Sequence, residues 1–321
     1  MIMHEKAATS QPPSLATAQA LFDMHCHVDF CDDPQAIMKQ VRELGLYMFA
    51  NTTTPQDFVH FEQIITAQQT SATQHNSVTQ QPIAHQPHIV AGVGAHPWYI
   101  ADDSISDSDL QLLEELIQTH ILIGEIGLDF SPKHCSAELQ FPEHYASERR
   151  PNAAKARQII AFENICSATV KAAQIDGRKR ILSIHAVQAA DAAHDILAKT
   201  KALENCICIY HWFSGSGNVL AQAVHDGCYF SVNQKMLATR RGKSYAQQIP
   251  TTQLLLETDM PYTGQTNISA ADITATLQQT LHALSTLRQQ SPATSSFIAE
   301  KTVELAATIS ANSQAIFSAA L

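Results

Sequence analysis

The stretch Leu21-Phe22-Asp23-Met24-His25-Cys26-His27-Val28-Asp29 determines how the rest of the chain is organised. It is typical of a β-strand, in which successive side chains point to opposite faces, so His25 and His27 share one face about 6–7 Å apart. Asp23 and Asp29 continue that face, and two imidazoles flanked by carboxylates can bind a divalent metal. A lone His-x-His pattern also occurs in strands whose histidines only face water, so the later sequence has to decide between the two interpretations.

Seven further apolar runs of strand length follow, separated by helical patterns. Strands that alternate with helices predict a parallel sheet, and eight such units predict an α/β protein with a (β/α)8 TIM-type barrel. The active site of such a barrel lies at the C-terminal ends of the strands. Runs three to six and run eight carry metal-ligand residue types at that end: His96, Glu125, His185, His211 and Asp259.

The length of the chain suits one such barrel. It has 321 residues, and a barrel of this type takes about 250 residues plus insertions. We predict a flexible N-terminal tail over residues 1–20, which lack the apolar segment of a signal peptide. A single metal-dependent hydrolase domain then spans 21–321. We expect loop insertions near 67–88, a stretch rich in Gln, Thr, Ser and His, and near 131–150.

Composition excludes several classes of protein. The formal net charge of −10 means that a polyanion can bind only at a local basic patch or through bound metal. No apolar run reaches the length of about 18 residues that a membrane span needs, so we expect no membrane partner. The seven cysteines show no paired spacing, which predicts reduced thiols and a cytoplasmic location.

The candidate metal ligands are four histidines and two carboxylates, more than one tetrahedral metal requires. They suit two divalent ions about 3.5–4 Å apart that share one bridging carboxylate, for which Glu125 is the candidate. Each residue also has a purely structural interpretation: a histidine can be bonded to backbone in the core, and Asp259 can cap a turn. The metal site could be rejected only if all six residues had such structural roles independently, which is much less probable than any one of them. The set therefore favours the metal site. The six residues are His25, His27, Glu125, His185, His211 and Asp259.

Three further polar residues are candidates for supporting roles. His96 either lies outside the ligands or contacts a substrate phosphate. Asp129 and Glu257 are candidates for orienting the histidines from behind. For Glu257 the reason is strand alternation, which would put it on the same face as Asp259.

Aromatic and basic residues near the strand ends are candidates for substrate contact. Trp98 and Trp212 each follow a site histidine and can stack on nucleic-acid bases, although large aromatics at such a rim also serve as packing. Lys235, Arg240 and Arg241 come just after the seventh strand, and we expect them on the rim of the site as phosphate contacts. The alternative is a solvated helix face.

As an ordered set, these motifs resemble the TatD family of metal-dependent nucleases within the amidohydrolase-like barrels. The resemblance implies Mg²⁺-supported DNase activity, including 3′→5′ exonuclease action on single-stranded or frayed ends, with Mn²⁺ or Zn²⁺ as alternative ions. It implies one ion on His25, His27, Glu125 and Asp259, and a second on Glu125, His185 and His211. The matching segments are 23–27, 94–98, 124–129, 184–185, 211–215 and 256–261, with Gln158, Phe162, Asn312 and Phe317.

The chain departs from the family pattern at two positions that bear on substrate contact. Val187 stands where the family often has arginine, and Ile165 where it often has glutamine. The insertions, His211-Trp212-Phe213-Ser214-Gly215-Ser216 and Tyr229-Phe230-Ser231-Val232-Asn233 are similar to the TatD-like nucleases of Qat-type anti-phage defence systems. That resemblance implies partner subunits in a defence complex.

We therefore expect a nuclease in which Asp259 and Glu125 are catalytic and Asp259 accepts the proton of the attacking water. Two alternatives remain open. One is another amidohydrolase-like hydrolase acting on a small substrate; such enzymes often bridge their metals with a modified lysine on the fourth strand, where this chain has Glu125. The other is a metal-stabilised, non-catalytic subunit of a defence complex.

Overall fold

A computed structural model describes residues 20–75, 88–135, 153–289 and 295–321. Eight parallel strands form one sheet in the order of the chain, which confirms the predicted (β/α)8 barrel. The strands are β1 Leu21–Cys26, β2 Leu46–Asn51, β3 Ile89–Ala95, β4 Leu122–Asp129, β5 Arg180–Val187, β6 Cys206–His211, β7 Tyr229–Val232 and β8 Leu254–Leu256.

The barrel closes where the chain leaves β8 and meets β1. The amide of Asp259 donates to the carbonyl of His25 at 2.9 Å, and the amide of His27 donates to the carbonyl of Met260 at 2.7 Å. The buried carboxylate of Asp23 accepts the amide of Thr258 at 3.0 Å and its hydroxyl at 2.5 Å. Contacts between residues 23–27 and residues 258–260 therefore close the barrel next to the site histidines.

Helices surround the barrel, and their ends follow local sequence signals. For the first helix, Asp33 accepts the amide of Ala36, Pro34 occupies the first turn, and Gly45 ends the helix at φ 65°. The helices are α1 Pro34–Leu44, α2 Pro55–His75, α3 Pro97–Ala101, α4 Asp107–Ile117, α5 Pro132–Cys135, α6 Ala153–Asp176, α7 Ala190–Lys199, α8 Ala202–Asn205, α9 Gly217–His225, α10 Gln234–Ala238, α11 Arg240–Gln248, α12 Ala270–Arg288 and α13 Ser295–Ala319.

Glycines let neighbouring strands, which are buried on both faces, approach one another closely. A Cβ at Gly94 would lie 1.7 Å from the carbonyl oxygen of Thr52, and one at Gly124 would lie 2.6 Å from Oδ1 of Asn51. Those distances leave no room for any side chain. The glycines therefore let β2, β3 and β4 come together directly beneath Glu125.

The predicted insertions and tail differ in part from the structure. Residues 67–75 are not loop: α2 continues to His75, because Ala, Gln and Thr side chains still permit a helix where the apolar pattern has stopped. Within 131–150, Pro132–Cys135 is one helical turn. The tail residues 1–19 and the remainder of both insertions, 76–87 and 136–150, lie outside the described residues.

The eighth strand is shorter than predicted. Regular pairing stops at Leu256, and Glu257, Thr258 and Asp259 follow in irregular backbone, with Asp259 at φ 59°. Among the helices that the structure describes, none is long and apolar enough to cross a membrane.

Candidate active site

The six predicted ligands come from five places around the barrel and meet at its C-terminal end. His25 lies in β1 and His27 directly after it. Glu125, His185 and His211 lie in β4, β5 and β6. Asp259 follows β8, where the left-handed backbone turns its side chain back toward β1. A parallel register thus unites residues that are up to 234 positions apart in the sequence.

Four of these side chains surround one point. Nε2 of His27 lies 3.4 Å from Oε2 of Glu125 and 3.4 Å from Oδ1 of Asp259. Nε2 of His25 lies 3.5 Å and 3.7 Å from the same two oxygens. Ligands bonded to one tetrahedral metal at 2.0–2.2 Å are spaced at about 3.3–3.6 Å. Nε2 of His25 is also buried and has no hydrogen-bond partner within the described part of the chain, so this donor set fits a metal ion.

A second cluster gathers on the other oxygen of the same carboxylate. Oε1 of Glu125 lies 2.7 Å from Nδ1 of His185 and 2.9 Å from Nε2 of His211. Those two nitrogens are 3.2 Å apart. Glu125 therefore has one oxygen in each cluster, which is the arrangement of a bridging carboxylate.

Hydrogen bonds fix which nitrogen of each histidine faces its cluster. Nδ1 of His27 lies 2.8 Å from the carbonyl oxygen of Asn51, which can only accept, so Nδ1 carries the hydrogen. Nε2 of His185 is 3.3 Å from Oδ2 of Asp129 and donates to it in the same way. The opposite nitrogens, Nε2 of His27 and Nδ1 of His185, are then free to act as ligands.

In His96, the nitrogen that faces the cluster carries the hydrogen. Nδ1 of this ring accepts the amide of Trp98 at 3.2 Å, so Nε2 carries the hydrogen and donates to Oε1 of Glu125 at 3.1 Å. The start of α3 directs this ring onto Glu125, so His96 lies beside the proposed ligands and faces the cavity. As a hydrogen-bond donor, His96 suits an anionic oxygen better than a metal.

Asp129 is held from several sides. Its Oδ2 accepts the indole N–H of Trp98 at 2.6 Å, and its Oδ1 accepts the amide of Ser131 at 2.8 Å. Gln158 on α6 holds the backbone of the same residue: Oε1 accepts the amide of Asp129 at 2.7 Å, and Nε2 donates to its carbonyl at 3.0 Å. Asp129 therefore lies behind His185, and that it orients this ring stays a prediction.

Glu257 lies behind His211 at a longer distance. Its carboxylate accepts Nδ2 of Asn233 at 2.7 Å and the hydroxyl of Ser231, and its Oε1 is 3.8 Å from Nδ1 of His211, too far for a hydrogen bond. The predicted shared strand face with Asp259 is wrong because β8 has already ended at Leu256.

The two aspartates that flank the histidines in sequence lie outside both clusters. Asp23 is bonded to Thr258 at the barrel seam. Asp29 lies in a 3₁₀ turn, Val28–Phe30, so strand alternation no longer directs it toward His25 and His27. Asp29 lies away from the histidines because β1 stops at Cys26. Asp23 lies within β1, and its hydrogen bonds to Thr258 hold its carboxylate at the seam instead.

Sequence reasoning missed two polar residues behind His25. The hydroxyl of Ser183 lies 2.7 Å from Nδ1 of His25, and Nδ2 of Asn51 lies 3.2 Å from the same nitrogen. For Ser183 a signal existed, since it lies two residues before His185 and alternation puts both on one face of β5.

The histidines of the site keep Glu125 and Asp259 ionised. Burial pushes the pKa of Glu125 upward, but the neighbouring imidazoles, with His96 and His211 foremost, outweigh burial and hold this pKa well below its usual range. Burial likewise raises the pKa of Asp259, and the adjacent rings of His27 and His211 outweigh burial, so this pKa ends below its ordinary value. Burial lowers the pKa of His25 to about 4, which leaves a neutral ring suited to metal binding.

A cavity of about 820 Å³ opens over the clusters. Both tryptophans line it, but one face of Trp98 is covered by the ring of His134, whose centroid is 4.6 Å away at an interplanar angle of 7°. Trp212, half-buried, faces the lysine of α10: Nζ of Lys235 is 5.5 Å from its ring centroid and 3.1 Å from that of Tyr262. Trp212 and Lys235 thus form part of one wall.

The predicted basic rim is only partly present. Lys235 lines the cavity, whereas Arg240 and Arg241 are exposed and are not among its lining residues. The reason is a break at Thr239, whose extended backbone ends α10 and caps α11, so that the two arginines begin a new helix outside the cavity. Neither arginine lines the cavity, so their contact with a substrate phosphate stays a prediction.

An eight-stranded barrel whose strand ends hold a carboxylate shared by two histidine clusters defines a hydrolase of the metal-dependent TIM-barrel class. Within that class the chain belongs to the TatD family: the family model described as TatD related DNase matches residues 22–318. The family expected from the motifs is thereby confirmed.

Individual relatives are distant but match over most of their length. The chain is 22% identical to human deoxyribonuclease TATDN3 over 261 residues, which are 78% of this chain and 81% of that protein. A TatD family hydrolase from Entamoeba histolytica superposes with a TM-score of 0.62 at 16% identity, covering 93% of this chain and 98% of its own. YJJV, a TatD homologue from Escherichia coli, superposes with a TM-score of 0.57 at 21% identity, covering 90% and 97%. At these identities the structural matches establish the fold.

Proposed function

We propose that this protein is a divalent-metal-dependent deoxyribonuclease that hydrolyses phosphodiester bonds. The observation that carries the proposal is the position of Glu125: Oε2 faces His25 and His27, and Oε1 faces His185 and His211. Two-ion sites bridged in this way are widely used for phosphoryl transfer. The name of the human relative supports DNA as the substrate.

The donor atoms divide into two sets. One ion would be held by His25, His27, Glu125 and Asp259, and the other by Glu125, His185 and His211. We propose Mg²⁺ as the ion of both sets, with Mn²⁺ or Zn²⁺ as alternatives. When bound, such ions neutralise phosphate oxygens and lower the pKa of water.

The protein's own groups supply the rest of the chemistry. Asp259 is ionised and its side chain is 18% exposed toward the cavity, so its carboxylate can accept the proton that the attacking water loses. His96 presents an N–H at Nε2 beside Glu125, where it can donate to a non-bridging phosphate oxygen. Asp129 lies behind His185 and would hold that ring in orientation through its contact with Nε2. Glu257 lies 3.8 Å behind His211 and would act on that ring through its charge.

The cavity supports a single-stranded or frayed end as the preferred substrate. Splayed bases can enter a concave site lined by Trp98, Trp212 and Tyr262, whereas a blunt duplex is a rigid rod. Lys235 supplies positive charge in the same wall. Polarity from 3′ to 5′ and a role in anti-phage defence with partner subunits are part of the proposal and rest on the motif resemblance alone. We also propose that residues 21–321 act as one domain, with residues 1–20 as a tail.

The test is incubation of the purified protein with Mg²⁺ and end-labelled single-stranded DNA, RNA of the same sequence, and a nitrophenyl phosphodiester. We expect DNA to be shortened stepwise from its 3′ end and the Glu125→Gln variant to be inactive. Hydrolysis of the small diester without any cleavage of DNA would instead identify a small-substrate hydrolase. No hydrolysis of any substrate with Mg²⁺, Mn²⁺ or Zn²⁺ would contradict catalysis altogether.

A further inference from the structure

Two lysines lie on aromatic rings at the mouth of the barrel, on the side of β3 to β5. Nζ of Lys155, in the first turn of α6, is 4.1 Å from the ring centroid of Phe130. Nζ of Lys133, in α5, is 5.2 Å from the ring centroid of Trp98. Neither lysine has a role in the site described above.

One of the two rings lines the cavity, and the other follows a site residue and adjoins a lining residue. Trp98 lines the cavity directly. Phe130 follows Asp129, and its amide donates to the carbonyl of Val187 at 2.9 Å, another lining residue. The two lysine–aromatic pairs therefore lie at the outer edge of the cavity wall.

The side of the mouth formed by β3 to β5 lies opposite Lys235. Lys235 follows β7 and contacts Tyr262 after β8, and in an eight-stranded barrel β4 lies across from β8. Among the described residues that line the cavity, Lys235 is the one lysine or arginine. A polyanion that leaves the cavity on the far side would next encounter Lys155 and Lys133.

Within the described part of the chain, the two lysines are positioned but not paired with a carboxylate. A cation over an aromatic face is attracted by the negative face of the ring. Neither lysine forms a salt bridge with a described residue, whereas the neighbouring Arg157 is engaged by Asp103 and by the carbonyl of Ile100. As far as the described residues go, the lysines thus remain available to an external anion.

We propose that Lys155 and Lys133, with Phe130, form a second phosphate subsite that binds the single strand beyond the cavity. The inference rests on the proposed nuclease function and specifies its substrate as an oligonucleotide long enough to span the mouth, rather than a dinucleotide. The backbone would follow the lysines while a base stacks beside Phe130, the combination that single-strand-binding proteins use.

The test compares Lys155→Ala with Lys171→Ala. Lys171 is exposed on the same helix, 16 residues further on, which is about 24 Å along the axis and away from the mouth. Binding of oligothymidylates of two and twelve nucleotides is measured against salt in the Glu125→Gln background. We expect Lys155→Ala to weaken binding of the twelve-mer up to about fivefold and to reduce its salt slope by about 0.7, the value of one single-strand phosphate contact.

The ratio of the two dissociation constants, twelve-mer to dinucleotide, should rise in Lys155→Ala and stay at the wild-type value in Lys171→Ala. Lys155→Arg should restore the twelve-mer affinity. An unchanged ratio and slope in Lys155→Ala, or an equal change in Lys171→Ala, would overturn the subsite. Cleavage is assayed separately in the Glu125-containing protein, so a failure of nuclease activity is distinguished from a failure of this binding test.

Discussion

At the scale of single residues, Asp259 is the most exposed of the proposed ligands, and it is held by backbone geometry that no other ligand shares. Asp259→Asn keeps the shape of the side chain but removes the charge and the proton acceptor. We expect the rate to fall by about 10²–10⁴-fold, the usual contribution of a general base. Circular dichroism and turnover measured on one preparation separate this effect from misfolding. A rate near that of the wild type would refute the role.

Lys235 and Arg240 provide a comparison within five residues of sequence. Lys235 lines the cavity and Arg240 does not, so only the Lys235→Ala variant should flatten the salt dependence of oligonucleotide binding, by about 0.7. Arg240→Ala is the matched control for loss of one positive charge. Equal slopes in the two variants would show that the charge of the surface, and not the wall of the cavity, governs binding.

At the scale of elements, the seam between β1 and the end of β8 depends on the buried pair Asp23 and Thr258. Thr258→Val preserves volume but removes the hydroxyl that donates to Asp23 at 2.5 Å. Because burial raises the pKa of Asp23 to about 7 and the variant would leave this buried carboxyl group without the hydroxyl, we expect a loss of about 1–3 kcal/mol in the free energy of unfolding, measured by urea denaturation.

The control for this prediction is Thr274→Val. The hydroxyl of Thr274 bonds to the carbonyl of Ala270 in its own helix, so its removal should change stability by less than about 0.5 kcal/mol. A similar loss in the free energy of unfolding in both variants would show that the hydrogen bond at the seam contributes no more to stability than one within a helix.

The elements also show how far the sequence could predict this structure. Long strands such as β3 and the helix capped by Asp33 carry strong apolar patterns and caps, so the alternation of strands and helices could be predicted. The end of β8 carries no such signal, because the left-handed backbone of Asp259 depends on contacts with β1. The contact of His96 with Glu125 depends in the same way on α3, a helix of five residues that periodicity does not detect.

At the scale of the whole molecule, metal binding should stabilise the fold, because the proposed ligands come from β1, β4, β5, β6 and the end of β8. An ion at about a thousand times its dissociation constant adds about 4 kcal/mol, which raises the melting temperature by on the order of 10 °C. Titration calorimetry of chelator-treated protein should show two equivalents. If the protein bound a single equivalent of metal, and Glu125→Gln did not change that binding, the proposal that Glu125 is shared by two ions would be contradicted.

The shape of the mouth gives a prediction about substrates. We expect single-stranded DNA, and duplexes with frayed ends, to be cleaved faster than blunt duplex of the same sequence, because only separated strands present bases to the aromatic wall. Initial rates at equal concentrations of ends measure the preference. Equal rates on blunt duplex and single strand would count against it.

All seven cysteines of the chain are buried, and burial raises the pKa of the Cys31 thiol to about 12. A thiol reagent should therefore modify the native protein slowly, at a rate that reports how often each segment opens. A cysteine placed at Thr263, an exposed residue of the cavity edge, would be the one rapidly labelled thiol in Thr263→Cys. A fluorescent dye can then be attached beside the proposed substrate path without removing any native cysteine, which makes strand entry and release observable in real time.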